Sequence, residues 1–245
     1  MWLPEIPGEG KEHTMHYDFQ FAFIFQHLEQ LLVGALLTIR LSALSMVCGL
    51  AVGIFGAIVS IHGSRPARFA VTSYVELIRS TPFLVQLFII FFGLPAAGIQ
   101  VDANIAALVA MTVNLGAYST EIVRAGMMAI HPSQIEAAHA LAMTRGQIIR
   151  HVVLTPALEK VYPALASQFT LMMLASSVVS AISAEELTAT ANLLDAETFR
   201  SFEIYLVVMV MYILLALLFR LAFWLIGLVV FKRRRRLGVP RPRRM

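Results

Sequence analysis

Five long apolar runs, each separated from the next by a short polar cluster, organise this chain. A bilayer core is spanned by about 20 apolar residues in a helix, and each run reaches that length. The first covers 41–61, LSALSMVCGLAVGIFGAIVSI, and begins near Leu31 with Arg40 close to its outer end. The second, 69–94, is interrupted by Glu76, Arg79 and Pro82; the proline removes a backbone donor and predicts a kink. The third covers 104–123 and the fourth 161–182. The fifth, 204–231, carries Arg220, which is expected where the helix meets the inner headgroups, with LAFWLIGLVVF beyond it as an interfacial or oblique extension. The pattern predicts an all-α integral membrane protein with five transmembrane helices.

Basic residues orient such a bundle, because Lys and Arg accumulate on the cytoplasmic side. Arg65, Arg68, Arg124, Arg145, Arg150 and Lys160 fall on one side of a five-span arrangement. The tail KRRRRLGVPRPRRM joins them. Only Lys11 and Arg200 lie clearly on the other side, beside Glu185, Glu186, Asp195 and Glu197. The N-terminus is therefore expected outside and the C-terminus in the cytoplasm. This divides the chain into an extracytoplasmic segment 1–30, a transmembrane domain 31–231 containing a cytoplasmic loop 124–156, and a basic tail 232–245.

Composition agrees with a membrane protein. The chain is 58% hydrophobic and 14% charged, too little charge to cover a soluble domain of its size. The net charge of +4 would suit nucleic acid in a soluble protein, but behind an apolar helix the basic tail reads as a cytoplasmic anchor, compatible with anionic lipid. Cys48 stands alone, which excludes an intrachain disulfide and a cysteine-based metal site. The start, MWLPEIPGEGKEHTMHYDF, has no basic residues followed by an apolar run and does not read as a cleaved signal peptide.

Between the third and fourth runs lies a polar stretch, EAAHALAMTRGQIIRHVVLTP. Two helix-start signatures bracket it, S-x-x-E at Ser133 and Glu136, and T-x-x-Q at Thr144 and Gln147. They predict a helix over 134–142 and a second over 145–154 closed by Pro156. Each is about 14 Å long, too short to cross a membrane. Small side chains at Ala137, Ala138 and Ala140 would let another protein approach closely. A plain helical linker fits the same pattern.

Ionisable groups inside spans usually face a protein interior or an aqueous path. Glu76 and Arg79 share one helical face at i,i+3, as do Glu121 and Arg124 at the cytoplasmic end of the third span. Arg79 falls near mid-membrane, and the Glu76–Arg79 pair reads equally as an internal structural pair or as part of a path for zwitterions. Asn114, Ser119, Thr120, Ser176 and Ser177 are weaker path candidates, since hydroxyls in membrane helices often bond to their own backbone. The seven histidines show no ligand spacing, which predicts no metal. No nucleophile elbow and no paired catalytic carboxylates appear, so no covalent catalysis is expected.

The polar stretch resembles the EAA loop of the inner-membrane permease subunits of bacterial ATP-binding-cassette importers. YVELIRSTPFLVQLFIIFFGLP resembles the R-G-T-P-L-x-V-Q stretch of the polar amino-acid uptake group (histidine, arginine, glutamine and opine permeases). NLGAYSTEIVRAGMMAIHPSQIEAA resembles that group's A-Y-x-x-E-I-x-R-G run into EAA. The likeness extends from about Thr38 to the fifth helix, in the same order and spacing. It implies the ABC importer permease fold and a role as the permease subunit of an amino-acid importer. It also implies docking of a separate ATPase through the loop, with Glu136, Ala137, Ala138, Met143 and Gln147 near the contact. The implied partners are a second permease, identical or related, two cytoplasmic ATPase subunits that bind ATP and Mg, and an extracytoplasmic amino-acid-binding protein. In agreement, the chain contains no G-x-x-x-x-G-K-[ST] of its own. The chain departs from the family at three places, one of them Leu154-Thr155-Pro156 where Leu-Pro is usual. Ala142 stands where glycine is usual, which should stiffen the turn and leave Gly146 to absorb some of the bend. Leu174 and Ala175 replace the charged pair of K-D-T-S-L. Two other readings of the spans remain: a passive channel or ion-coupled carrier, and a membrane scaffold that recruits a cytoplasmic partner.

Overall fold

The computed structural model describes residues 21–231 and is helical throughout its regular elements. Residues 1–20 of the expected segment 1–30 and the basic tail 232–245 lie outside the described residues. A short α1 (Ala22–Gln26) leads into α2 (Leu28–His62), which starts three residues before the expected boundary. There follow α3 (Arg65–Arg79), α4 (Phe83–Ala96), α5 (Ala103–Met128), α6 (Pro132–Ala140) and α7 (Arg145–Gln147). The chain continues through a π-helical stretch, Ile148–Leu154, into α8 (Thr155–Ala175), then through a 3₁₀ stretch, Ser176–Ile182, to α9 (Leu187–Thr198) and α10 (Ser201–Val230).

Four helices or continuous helical stretches are each long and apolar enough to cross a membrane, and α3 with α4 makes a fifth crossing if the bent pair is one span. The expected single second helix is not formed. Its two halves meet at 111°, because Thr81 and Pro82 leave the helix and Pro82 becomes the extended residue that starts α4. The predicted kink is a complete break.

Small residues on α2 bring it against α5. A Cβ at Gly53 would meet Ser119 at 2.3 Å, and one at Gly49 would meet Leu115 at 2.6 Å. Close backbone approach through small side chains is how helices gain packing contacts where lipid supplies no hydrophobic drive. The same contacts give direction. Gly49, Gly53 and Gly56 meet Leu115, Ser119 and Thr120 in ascending order, so α2 and α5 run parallel. The chain between them must therefore return across the bundle, and α3 with α4 forms that crossing. Gly126 of α5 meets Ala157 and Val161 near the start of α8, an antiparallel contact. α8 and α10 are antiparallel as well, since the Tyr162 ring meets Gly227 and Phe231 while Phe169 meets Phe223, which lies beside Phe219. The end of α2, the end of α10 and the α6–α7 segment thus share one end of the bundle, and α9 lies at the other.

One further expectation needs correction. Pro156 does not close a helix. It lies within a continuous helix: in the π-helical turn ahead of it Thr155 N and Thr155 Oγ1 both donate to Arg150 O, and the helical path from Arg145 to Ile182 is unbroken. The fourth span consequently begins well before residue 161. Beyond Arg220, α10 runs on without interruption, and Phe223 O accepts a hydrogen bond from the Tyr162 hydroxyl, which holds the extension against α8.

Candidate functional site

The polar stretch folds as a compact bracket. Pro132, with its φ preset for a first helical turn, starts α6 earlier than expected. Ser133 therefore lies inside the helix, and the Ser133–Glu136 capping box does not form. His131 is the N-cap instead, its Nδ1 accepting from the Ser133 backbone N–H at 3.3 Å. The second box is present: Thr144 Oγ1 accepts from Gln147 N, and Gln147 Oε1 accepts from Thr144 N at 2.8 Å.

α6 ends in a Schellman turn. Met143 N donates to Ala138 O at 3.2 Å and Ala142 N to His139 O at 2.9 Å. The residue between must be left-handed, and Ala142 takes φ 55°. Glycine is favoured there because a Cβ crowds the following carbonyl. Gly146 does not absorb the bend; it sits within α7 with open space around it. The turn sorts the docking candidates. Glu136, Ala137 and Gln147 are exposed, and Met143 is half-buried against the core. Ala138 is 3% exposed and packs within the core of its own chain.

The break between α3 and α4 is held by a side chain not singled out in the sequence. Gln86 is buried, and its Nε2 donates to Ile78 O at 2.7 Å and to Thr81 O at 3.0 Å. Those carbonyls lose their helical partners at the break, and buried backbone acceptors require replacements. Asn114 Nδ2 donates to Gln86 Oε1 at 2.8 Å, which ties the break to α5. The residue spacing in R-S-T-P-F-L-V-Q explains this reach: one turn of α4 returns Gln86 to the end of α3.

The Glu76–Arg79 pair is not made. Both side chains are exposed, and among the described residues Arg79 forms no ion pair. Its guanidinium stands 5.6 Å from the Tyr118 ring centre on α5, a cation–π arrangement, and interacts electrostatically with Glu121. Tyr118 is about 22 Å along α5 from its start and about 15 Å from its end, so Arg79 lies level with the middle of that helix. Glu121 and Arg124 do pair, on one part-exposed face.

The remaining candidates bond locally. Thr120 Oγ1 donates to Gly116 O, Ser176 Oγ to Met173 O and Ser177 Oγ to Leu174 O. The Ser119 hydroxyl is buried in the α2–α5 contact with no partner among the described residues. The structure brings Asn114 to Gln86 and Arg79 to Tyr118; it does not gather the seven path candidates around one point.

Glu186, expected among loop acids, is fully buried. It N-caps α9 by accepting from Ala189 N at 3.0 Å, and it also accepts from the Tyr212 hydroxyl at 2.7 Å and from Thr38 Oγ1 at 3.3 Å. One carboxylate thus ties α2, α9 and α10 together. The sequence does carry a signal for α9, since Leu187, Ala191 and Leu194 follow helical spacing.

Residues 49–236 match the family described as binding-protein-dependent transport system inner membrane component. The chain is 33% identical over 201 residues to the glutamine transport system permease protein GlnP of Escherichia coli strain K12, covering 81% of this chain and 92% of GlnP. It is 30% identical over 196 residues to the probable glutamine ABC transporter permease protein GlnM of Bacillus subtilis strain 168, covering 80% and 91%. The fold superposes on a chain of an amino acid ABC transporter crystallised with histidines, with a TM-score of 0.78 at 33% identity over 86% of this chain and 99% of that one. An inward-facing structure of the MetNI methionine ABC transporter shares the fold, with a TM-score of 0.72 at 22% identity over 84% and 98%. The parallel and antiparallel helix bundle, its exposed bracket and these likenesses lead to one assignment: the chain belongs to the binding-protein-dependent transport system inner membrane component family, as a permease subunit of an ABC transporter.

Proposed function

We propose that this chain imports a polar amino acid as one half of a permease pair. Two cytoplasmic ATPase subunits, which bind ATP and Mg, dock on the α6–α7 bracket, and an extracytoplasmic binding protein delivers the amino acid. The permease itself performs no chemistry. The N-terminus lies outside and the C-terminus in the cytoplasm; the shared end of α2, α10 and the bracket, where Arg65, Arg68, Arg145, Arg150 and Lys160 collect, supports that orientation. The relatives named for glutamine and the solved amino-acid transporter support the substrate class.

One observation carries the mechanism. From Arg145 to Ile182 the helical path has no loop, so a displacement of the bracket reaches the interior end of α8 along one helical backbone. Exposed Glu136, Ala137 and Gln147 meet the ATPase, while Ala138 and Met143 fasten the bracket to the bundle. ATP-driven closure of the ATPases then moves both brackets and turns the path outward, and release reverses it. Arg79 on α3, which forms no ion pair among the described residues, is the path-facing cation for substrate.

Glu136→Lys tests the docking. It reverses charge at an exposed site and leaves the fold intact, so the permease is expected in the membrane at normal levels with much reduced ATPase co-purification and uptake. Full ATPase recovery with unchanged uptake would overturn the assignment.

A further inference from the structure

One turn between the bracket and α8 is wound differently from the helices on either side. Ile148–Leu154 is π-helical, and from Arg145 to Ala175 it is the one stretch not wound as an α-helix. Turns closed at i→i+5 are rare and hold about one residue more than an α turn. The cause here is Pro156. In an α-helix its ring would meet the Val152 carbonyl four residues back, and it has no N–H to bond that oxygen. The wider turn lets the chain pass the proline without ending the helix.

The same turn sets how the bracket sits on the bundle. Ile148, Val153 and Ala157 are all buried, at spacings of five and then four. Positions five apart in an α-helix diverge by about 140°, so the π turn is what brings Ile148 onto the buried line of α8. Closing it to an α turn would rotate the bracket about α8 by roughly 100°, the angle of one residue. Ala138 and Met143, which pack in and against the core, would then turn away from it.

A turn with a missing donor is the weak point of a helix that carries motion. Thr155 braces it. Its backbone N–H and its Oγ1 both donate to Arg150 O, the hydroxyl at 2.7 Å. The side chain is exposed and makes no other hydrogen bond among the described residues. It is also the residue that stands between Leu154 and Pro156 where the family has Leu-Pro.

We infer that Thr155 is a positioning residue for transport: its hydroxyl stiffens the π turn, so that bracket movement driven by the ATPases reaches α8 instead of being absorbed at Ile148–Leu154. A hydroxyl bonded back to the preceding turn holds the local bend of a helix. Here it adds a second bond across the turn next to the position where Pro156 withholds one. The inference rests on the proposed docking of the ATPases at the bracket.

The test uses the complete transporter, with its ATPases and binding protein, in proteoliposomes. Thr155→Val, which keeps the shape and removes the hydroxyl, is compared with Thr155→Ser, which keeps the hydroxyl. ATP hydrolysis, uptake of radiolabelled glutamine per ATP, and amide exchange across 148–155 are read for each. In Thr155→Val the ATPases are expected to co-purify and hydrolyse ATP as with the parent. Glutamine taken up per ATP should fall about 2- to 10-fold, the size of one lost neutral hydrogen bond, and exchange across 148–155 should quicken by a similar factor. Thr155→Ser should restore most of both. Unchanged uptake per ATP in Thr155→Val would overturn the inference. So would a merely structural result, in which hydrolysis and uptake fall in proportion and Thr155→Ser does no better. Unchanged exchange across 148–155 would overturn it whichever amino acid the transporter takes. Failure of the ATPases to co-purify with the parent would bring down the docking reading, and the inference with it.

Discussion

Replacing Gly53 with alanine tests whether the α2–α5 contact sets the spacing of the bundle. The added Cβ falls 2.3 Å from the Ser119 Cβ, and 2.9 and 3.0 Å from the backbone of Ser119 and Thr120. Carbon atoms rest at about 3.5–4.0 Å from one another, so the helices must separate by about 1 Å at this level. No rotamer change relieves the clash, because two of the three neighbours are backbone. Overpacking of this kind costs about 1–3 kcal/mol, and the backbone neighbours put Gly53 at the upper end. Alanine's higher helix propensity returns about 1 kcal/mol, which leaves a net loss of about 2 kcal/mol. Gly93→Ala and Gly146→Ala serve as controls, since nothing lies within 4 Å of either added methyl; each should gain about 0.5–1 kcal/mol from the same propensity. Thermal unfolding of the detergent-purified permease reads all three. Adding Ser119→Gly to Gly53→Ala should recover part of the loss, because it removes the nearest atom but not the backbone contacts. If Gly53→Ala unfolds at or above the parent temperature while the controls gain as expected, the close α2–α5 contact does not constrain the bundle.

Ala142→Gly should stabilise the α6–α7 bracket by about 1 kcal/mol, since it relieves a left-handed alanine, and slower hydrogen exchange at Met143 N would report it; faster exchange would contradict the Schellman assignment. Gln86→Leu should cost about 1–3 kcal/mol for each buried polar group it strands, with Ile78 O, Thr81 O and Asn114 Nδ2 all losing a partner. Lowered unfolding temperature with reduced uptake is expected, and Asn114→Leu alone should cost less because the break keeps its Gln86 donors.

The sequence by itself determined the membrane class, the five apolar runs, the position of the break at Pro82, the Thr144–Gln147 cap and the polar stretch that folds as the bracket. Those features are local: an apolar run, a missing N–H and a four-residue cap act within a few residues of chain. What the runs could not show is which face of each helix is inside. In a soluble helix the buried stripe is apolar and the rest polar, whereas here lipid-facing and core-facing positions are both apolar. α10 illustrates this, exposing Leu214, Leu217, Leu221 and Trp224 while Leu215 and Phe219 are buried. Partner choice was equally hidden. Spacing on α3 pointed Arg79 to Glu76, three residues away, but the 111° break and the α5 contact turned it to Tyr118. Gln86 found Asn114, and Glu186 found Thr38 and Tyr212. Such polar contacts between distant helices exist only once packing has excluded water and lipid from the site, and the unmet hydrogen bonds of buried groups then select the partner. That selection belongs to tertiary structure.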